Sequence, residues 1–241
     1  MIAVSEEMKK EDLKDPSNME QEVSEESASE NTEASAEEET KEKAPEKEGF
    51  FKKKKDPKDE KIEELTDRNA EWRKELRASM KAKERTAIER VKMPELDPVY
   101  RATTRTEEVN IGLTKEMALT EAKRCLDCPK PTCMEGCPVS INIPSFIKNI
   151  ERGQFLAAAK VLKNTSALPA VCGRVCPQEK QCESKCVHLK MNEPAVAIGY
   201  LERFAADYER QSGNISVPKC DEPNGIKIAV VGSGPSGLSF A

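Results

Sequence analysis

The sequence predicts a mainly α protein whose centre is a small all-helical domain. Three observations lead to this prediction: apolar residues recur at helical spacings, eight of the nine cysteines form two tight groups, and one strand pattern precedes a glycine-rich turn. We expect a disordered acidic arm at 1–60, a charged helix at 61–93 and the helical cysteine domain at 94–215. A linker and the first strand and turn of a truncated α/β domain follow at 216–241.

The first segment has the composition of a disordered arm. Residues 1–60 hold 20 acidic and 11 basic side chains, and residues 1–48 contain no aromatic residue. Such a segment cannot bury enough apolar surface to offset the entropy of ordering it.

No stretch of the sequence approaches the roughly 20 apolar residues that cross a bilayer, and the first residues lack the pattern of a secretory signal. We therefore expect a cytoplasmic protein with neither a membrane nor a nucleic acid as partner.

A highly charged helical pattern runs from Lys61 to about Lys92. Its apolar residues recur at spacings of 3, 7, 4 and 4 and so share one narrow stripe: Ile62, Leu65, Trp72, Leu76 and Met80. Such a stripe packs either on the helix's own domain or against a partner, so helix-mediated self-association is one of two alternatives. Pro94 ends the pattern, because a proline ring cannot continue the hydrogen-bond ladder.

The helices of the cysteine domain are expected where capping residues and prolines precede apolar periodicity. Threonine caps a first turn well, proline suits its fixed φ, and glycine stops a helix. The expected segments are Thr114 to Cys125, Pro144 to Gly153, Phe155 to Lys163, and Pro194 to about Arg210. Large apolar residues are few in this domain, so we expect its cofactors to supply much of its folding energy.

The two cysteine groups have the spacing of a metal centre. The N-terminal run is Cys125-x2-Cys128-x4-Cys133-x3-Cys137-Pro138, and the C-terminal run is Cys172-x3-Cys176-Pro177-x4-Cys182-x3-Cys186. Short gaps let several thiolates converge on one inorganic centre. The N-terminal run approaches the spacing of bacterial ferredoxins, with a middle gap two residues longer.

Three other interpretations of the cysteines are possible. Disulfides are disfavoured by a reducing compartment and by the odd cysteine count, and unligated thiols need not be packed so closely. A structural zinc module with no redox role remains an alternative, although zinc sites more usually have paired x2 spacings. Paired [4Fe-4S] clusters are the favoured interpretation.

A pair of clusters raises the question of its eighth ligand. In the last helix the spacing of Ala195, Ile198, Glu202 and Ala205 places Glu202 on the apolar stripe, where a carboxylate is costly unless something binds it. Glu202 is therefore a candidate iron ligand. The alternative is a rotated helix in which Glu202 pairs with Arg203 or a lysine at the rim.

A glycine-rich turn follows the apolar strand pattern Ile228 to Val231. Such a turn lets a pyrophosphate approach the N-terminus of a helix, and its candidate cofactor-binding residues are Gly232, Gly234, Pro235, Ser236 and Gly237. A glycine-rich turn without a ligand is the alternative. The acidic residue expected about twenty positions later lies beyond Ala241. We therefore expect the opening of a dinucleotide-binding domain without the rest of that domain.

The combined motifs closely resemble the small (beta) subunit of NADPH-dependent glutamate synthase. The motifs are Cys125-Leu-Asp-Cys128, Cys133-Met-Glu-Gly-Cys137-Pro138, Ile143-Pro144-Ser-Phe146, Cys172-Gly-Arg-Val-Cys176-Pro177, Cys182-Glu-Ser-Lys-Cys186 and Val230-Val-Gly232-Ser-Gly234-Pro-Ser-Gly237. The same module occurs in dihydropyrimidine dehydrogenase and in electron-bifurcating ferredoxin:NADP oxidoreductases. The resemblance covers roughly residues 69–241 and implies a helical iron-sulfur domain followed by FAD- and NADPH-binding domains.

The resemblance also implies which residues hold two [4Fe-4S] clusters. One cluster would take Cys125, Cys128, Cys133 and Cys186, and the other would take Cys137, Cys176, Cys182 and Glu202, leaving Cys172 without a metal. Electrons would pass between FAD and a partner, either a flavoprotein like the glutamate synthase large subunit or a ferredoxin. FAD and NADPH are expected only in a complete parent protein, so the resemblance leaves open whether this chain alone is an enzyme.

A second, weaker resemblance concerns the N-terminal side of the chain. Residues 1–68, and Gly49 to Arg68 in particular, look like the N-terminal arm of GrpE-type chaperone nucleotide-exchange factors. A join of two genes near Arg68 and Asn69 would explain this match. It also suggests an alternative function, a chaperone-associated interaction protein that acts through its N-terminal helix.

Overall fold

The computed structural model describes residues 61–217 and 222–241 of the chain. The acidic arm expected at 1–60 and the lone Cys220 lie outside these residues. The described residues are helical, as predicted, and contain no β-strand, only an isolated antiparallel bridge between Glu95 and Asn110. None of the helices in this part of the chain is both long and apolar enough to cross a membrane.

Eleven α-helices are found in the described residues, and most of them are short. They are α1 (Ile62–Thr66), α2 (Glu71–Ser79), α3 (Ala82–Thr86), α4 (Pro98–Arg101), α5 (Lys115–Lys123), α6 (Thr132–Glu135), α7 (Ile143–Glu151), α8 (Phe155–Lys163), α9 (Pro169–Val175), α10 (Ile198–Gln211) and α11 (Pro235–Phe240). Three 3₁₀ segments lie between α9 and α10, at Gln178–Lys180, Glu183–Lys185 and Val187–Met191.

Helices α7, α8 and α10 form the centre of the body, with α5 against α7, α9 against α10 and α1 against α7 and α8. Their apolar faces supply the fully buried side chains of Phe146, Ile147, Leu162 and Leu201. Phe155 meets Phe204 edge to face, with ring centroids 5.1 Å apart, an arrangement that aromatic pairs favour. The core is built mainly from these three helices.

The local signals for three helices are confirmed. The hydroxyl of Thr114 accepts a hydrogen bond from the N–H of Met117 at 3.3 Å, so α5 begins as predicted, although it ends at Lys123. Pro144 lies in the first turn of α7, and Gly153 follows that helix with a φ of +76°. Helix α8 has the predicted bounds.

The longest helix begins four residues later than predicted, at Ile198 instead of Pro194. The carbonyls of Pro194 and Ala195 accept hydrogen bonds from the guanidinium of Arg124, and the N–H of Ala197 donates to Glu121 at 2.8 Å. These backbone groups bind a buried ion pair instead of helical partners. The first turn is therefore displaced along the chain.

The single charged helix predicted for residues 61–92 is wrong, because three short helices lie there. The guanidinium of Arg85 binds the carbonyls of Leu76 and Met80, which ends the backbone ladder of α2. The stripe packs on its own domain: Leu65 is fully buried, and the ring of Trp72 lies 4.1 Å from the guanidinium of Arg152.

Residues on both sides of the proposed join at Arg68 and Asn69 belong to the same packed body. Leu65 lies in the core with α7 and α8, and Arg68 donates a hydrogen bond to the carbonyl of Asp127 at 3.0 Å. On the other side, Arg73 of α2 binds the Asp127 side chain. The packing therefore continues across the position where a join was considered.

The strand predicted from Ile228 to Val231 is also wrong for the described structure. These residues are irregular and exposed, because a strand requires a neighbouring strand for its hydrogen bonds and no described segment pairs with them. The glycine turn does lead into a helix, with Pro235 in the first turn of α11. Gly232 has a φ of +113°, which favours glycine.

Three buried charges join the N-terminal helices to the cysteine domain. The ammonium of Lys148, which is fully buried, binds the side chain of Glu151 and donates to the carbonyl of Cys125 at 2.6 Å. The same Glu151 accepts from Arg85 at 2.8 Å, and both side chains are almost fully buried. One carboxylate therefore compensates two buried cations.

We expect Glu151→Gln to destabilise the protein strongly, since it leaves Lys148 and Arg85 buried without their counter-charge. Breaking such a buried pair costs about 3–5 kcal/mol. The midpoint of thermal unfolding, followed by circular dichroism, measures the effect. Glu71→Gln is the control, because Glu71 pairs with Lys74 at the surface with 77% of its side chain exposed. Equal midpoints for the two variants would contradict the prediction.

Helices α9 and α10 approach each other closely at Gly173. A Cβ on Gly173 would lie 2.6 Å from the backbone nitrogen of Arg203. The contact brings the end of α9, which leads into Cys176, next to Glu202 in α10. A glycine is therefore required where these two helices meet.

Gly173→Ala is expected to separate α9 from α10 and to lower the thermal midpoint, because overpacking costs about 1–3 kcal/mol. The matched control is Gly234→Ala, since a Cβ on Gly234 meets nothing within 4 Å and its φ is negative. The prediction fails if Gly173→Ala melts at the same temperature as the control.

Candidate metal centre

Four cysteines from three parts of the chain line one pocket. Cys125 and Cys128 follow the C-terminal end of α5, Cys133 lies in α6, and Cys186 follows the second 3₁₀ segment. Apolar side chains complete the wall: Leu126, Ile143, Ile147, Val196 and Ile198. We call these four cysteines the first group, and they are the same four that the resemblance assigned to one cluster.

Three thiols of the first group, those of Cys125, Cys128 and Cys133, resist ionisation, and burial is the main cause of their raised pKa values. Burial raises the pKa of Cys125 to about 11. The pKa of Cys133 is also raised, first by burial and then by the charges of Cys125, Cys186 and Cys128. Thiolates so close to each other require a positively charged centre, because a metal favours the ionised form. The donor set therefore fits an iron centre.

A second group of donors surrounds the end of α9. Burial, the neighbouring Cys172 and the charges of Glu202 and Cys137 raise the pKa of Cys176 to about 11. The pKa of Cys182 is raised to about 12 by burial, by Glu183 and by Cys137, with a contribution from Glu202. We call the set that the resemblance implied, Cys137, Cys176, Cys182 and Glu202, the second group.

Glu202 faces inward, as the spacing in the last helix predicted. Its side chain is buried, and its Oε1 has no hydrogen-bond partner. Burial raises its pKa to about 7. The alternative pair with Arg203 at the rim does not form, because Arg203 binds Glu108 at 2.6 Å and Asp207 at 3.4 Å. An unpartnered buried carboxylate whose charge acts on Cys176 and Cys182 has the chemistry of a metal ligand.

Among the described residues, no group of three or more Cys, His, Asp or Glu side chains converges closely enough for one metal ion. Cysteine thiolates are ligands of structural zinc as well as of iron-sulfur clusters. Metal and sulfide analysis separates these two kinds of centre.

Cys172 lies beside the second group without being part of the implied ligand set. Its thiol contributes to the raised pKa of Cys176 and lies 3.9 Å from the hydroxyl of Ser166. Its carbonyl accepts a hydrogen bond from Gln178 at 3.1 Å. Two thiols therefore lie together near the end of α9.

Two polar residues lie near the first group: Asp127, which was not identified from the sequence, and His188, the only histidine of the chain, which a sequence pattern favours as structural or exposed rather than as a ligand. Asp127, inside the Cys125-x2-Cys128 motif, is fully buried and has a φ of +52°. His188 lines the same pocket, with its Nε2 lying 3.0 Å from the carbonyl of Arg124 and its Nδ1 unpartnered. A polar residue between two ligand cysteines was the available signal for Asp127, whereas no local pattern marks His188 as buried.

The candidate nucleotide-binding residues lie apart from the cysteines in sequence and are largely exposed. Gly232 and Gly234 lie in the turn before α11, and Pro235, Ser236 and Gly237 lie in its first turn. A Cβ on Gly237 would lie 2.2 Å from the carbonyl of Gly232. The turn is therefore compact enough to require glycine at this position.

Known proteins resemble this chain in the region that contains the two donor groups. Residues 101–214 match the family described as dihydropyrimidine dehydrogenase domain II, 4Fe-4S cluster. The chain is 33% identical over 150 residues to the glutamate synthase [NADPH] small chain of Azospirillum brasilense, covering 62% of this chain and 31% of the relative. It is 38% identical over 132 residues to the NAD-dependent dihydropyrimidine dehydrogenase subunit PreT of Escherichia coli, covering 55% of this chain and 32% of that subunit.

The glutamate synthase [NADPH] small chain of Escherichia coli is 37% identical over 134 residues, which cover 56% of this chain and 28% of the relative. The chain thus spans about a third of the length of the curated relatives it matches. The resemblance predicted from the cysteine motifs is confirmed by these matches. Over residues 101–214, this chain is therefore similar to the 4Fe-4S cluster domain of dihydropyrimidine dehydrogenase.

Proposed function

We propose that residues 94–215 are an electron-transfer domain that holds two [4Fe-4S] clusters. The observation that carries this proposal is the arrangement of two groups of four donors, one of which includes a buried carboxylate without a hydrogen-bond partner. The family match to a 4Fe-4S domain supports it. The two groups adjoin, since Cys182 of the second group contributes to the raised pKa of Cys133 in the first.

The proposed ligand sets follow the two groups. Cys125, Cys128, Cys133 and Cys186 would hold the first cluster, and Cys137, Cys176, Cys182 and Glu202 would hold the second. A bound cluster supplies one-electron chemistry at each site. The chain's own contribution is to deliver the thiolates, to surround the first site with apolar side chains that exclude water, and to fix the loops by hydrogen bonds such as Lys148 to the carbonyl of Cys125.

In a complete parent protein, NADPH would reduce FAD, and single electrons would then pass between FAD and a partner through this domain. The turn containing Gly232 and Gly234 would approach the FAD pyrophosphate there. Two relatives are described as a small chain and as a subunit, which supports a partner protein. We propose a flavoprotein like the glutamate synthase large subunit, or a ferredoxin, in that role.

The proposal is tested by metal analysis of the full chain after anaerobic purification. We expect roughly eight iron and eight sulfide per chain, a brown colour, and bleaching of the absorption by dithionite, since two [4Fe-4S] clusters contain that number of atoms. Zinc without sulfide and without colour would overturn the proposal and leave a structural metal module.

Glu202→Ala is expected to lower the iron content from roughly eight to roughly four per chain, because the second cluster loses a ligand while the four thiols of the first group remain. Glu183→Gln is a matched control, since Glu183 is also a buried carboxylate beside the cysteines but pairs with Arg90 at 2.8 Å. Unchanged iron in Glu202→Ala would remove Glu202 from the ligand set.

The two thiols near the end of α9 can be separated by substitution. Cys176→Ala is expected to halve the iron content, whereas Cys172→Ala is expected to keep roughly eight iron per chain. Iron and sulfide are measured on both proteins after identical anaerobic purification. The reverse result would mean that Cys172 is the ligand and Cys176 its neighbour.

A further inference from the structure

The loop between the first two cysteines contains a strained and fully buried residue. Asp127 has a φ of +52°, in the left-handed region that most side chains avoid. Its side chain is fully buried. A charged residue in this conformation persists only where its surroundings hold it firmly. The side chains that restrain Asp127 come from the N-terminal part of the described chain.

Three arginines from the N-terminal helices hold Asp127. Arg73 forms a bidentate pair with the carboxylate, at 2.6 Å and 3.0 Å, and Arg77 adds a third hydrogen bond at 2.7 Å. Arg68 donates to the backbone carbonyl of Asp127 at 3.0 Å. We call these three residues the arginine clamp. Together they bind both the side chain and the backbone of a single loop residue.

Arg73 also fixes the clamp to the body of the domain. Its guanidinium donates to the hydroxyl of Ser145 in α7 at 2.7 Å and to the carbonyl of Thr66 in α1 at 3.1 Å. Its side chain is only 3% exposed. Because bidentate, buried arginine pairs are the most geometrically specific ones, Arg73 defines the position of the loop relative to α1, α2 and α7.

The clamp brings more positive than negative charge to the first group. Arg73 and Arg77 bind the single carboxylate of Asp127, and Arg68 binds its backbone carbonyl. On the neighbouring side, Lys148 and Arg85 share the single carboxylate of Glu151. Nearby positive charge favours thiolates and reduced, more negative clusters. The clamp therefore has an electrostatic consequence for the first group in addition to its geometric one.

We propose that the three residues of the arginine clamp are positioning residues for the first cluster, with Arg73 as the central one. Residues 61–93 then form part of the iron-sulfur site. The clamp lies before residue 101, where the family match begins. This inference rests on the proposed first ligand set. It assigns to the N-terminal helices a role that the match does not cover.

The main test compares Arg73→Lys with the wild-type full chain, both purified anaerobically. Lysine keeps the charge but cannot form the bidentate pair. We expect the iron content to fall from roughly eight to roughly four per chain. After dithionite, the remaining cluster should give the same electron paramagnetic resonance spectrum as in Cys128→Ala, a variant that lacks a ligand of the first group. Arg101→Lys is the control, because Arg101 pairs with Glu95 at the exposed surface, and it is expected to keep all its iron.

The inference is overturned if Arg73→Lys keeps roughly eight iron and an unchanged spectrum. A wild-type protein without iron would overturn the proposed function instead, so the two failures are distinguishable. If Arg73→Lys does not fold, Arg77→Gln decides, since Arg77 lies at the partly exposed edge of the clamp. Removing its charge is expected to lower the reduction potential of one cluster only, and unchanged potentials would contradict the inference.

Discussion

The burial of ionisable donors inside a small helical body is the constraint on which the rest of the structure depends. Thiols and a carboxylate that lie together in an apolar environment cannot ionise without a compensating positive charge. The raised pKa values of Cys125, Cys133 and Glu202 express this cost. A metal centre removes it, and so couples the binding of iron to the stability of the fold.

Buried ion pairs replace much of the apolar packing that a larger core would provide. Arg124 and Glu121 bind each other and also the backbone before α10. Lys148 and Arg85 share the carboxylate of Glu151 in α7. Lys148 also binds the carbonyl of Cys125 in the first cysteine loop, and Arg85 binds the carbonyl of Leu76 in α2. These side chains bind backbone carbonyls, among them that of Cys125, which lies outside the helices. Buried side chains thus add to the backbone hydrogen bonds that hold the first cysteine loop.

The same networks explain why the N-terminal helices cannot be treated as a separate appendage. Leu65 enters the common core, and Arg73 reaches the middle of the Cys125-x2-Cys128 loop. A family match that begins at residue 101 describes the cysteine scaffold, whereas the restraint on one of its loops comes from α1 and α2. The packed domain is therefore larger than residues 101–214, the region of the family match.

The sequence was sufficient to predict the mainly α class, the Thr114 cap, the bounds of α8 and the inward position of Glu202. Each of these features depends on residues within one or two helical turns of one another. The tertiary structure alone decided where the backbone departs from its local preference. Arg85 ends α2, and Arg124 with Glu121 delays α10, through hydrogen bonds between residues far apart in the chain. Similarly, the positive φ of Asp127 depends on arginines some fifty residues away, and such distant partners leave no periodic signal in a sequence.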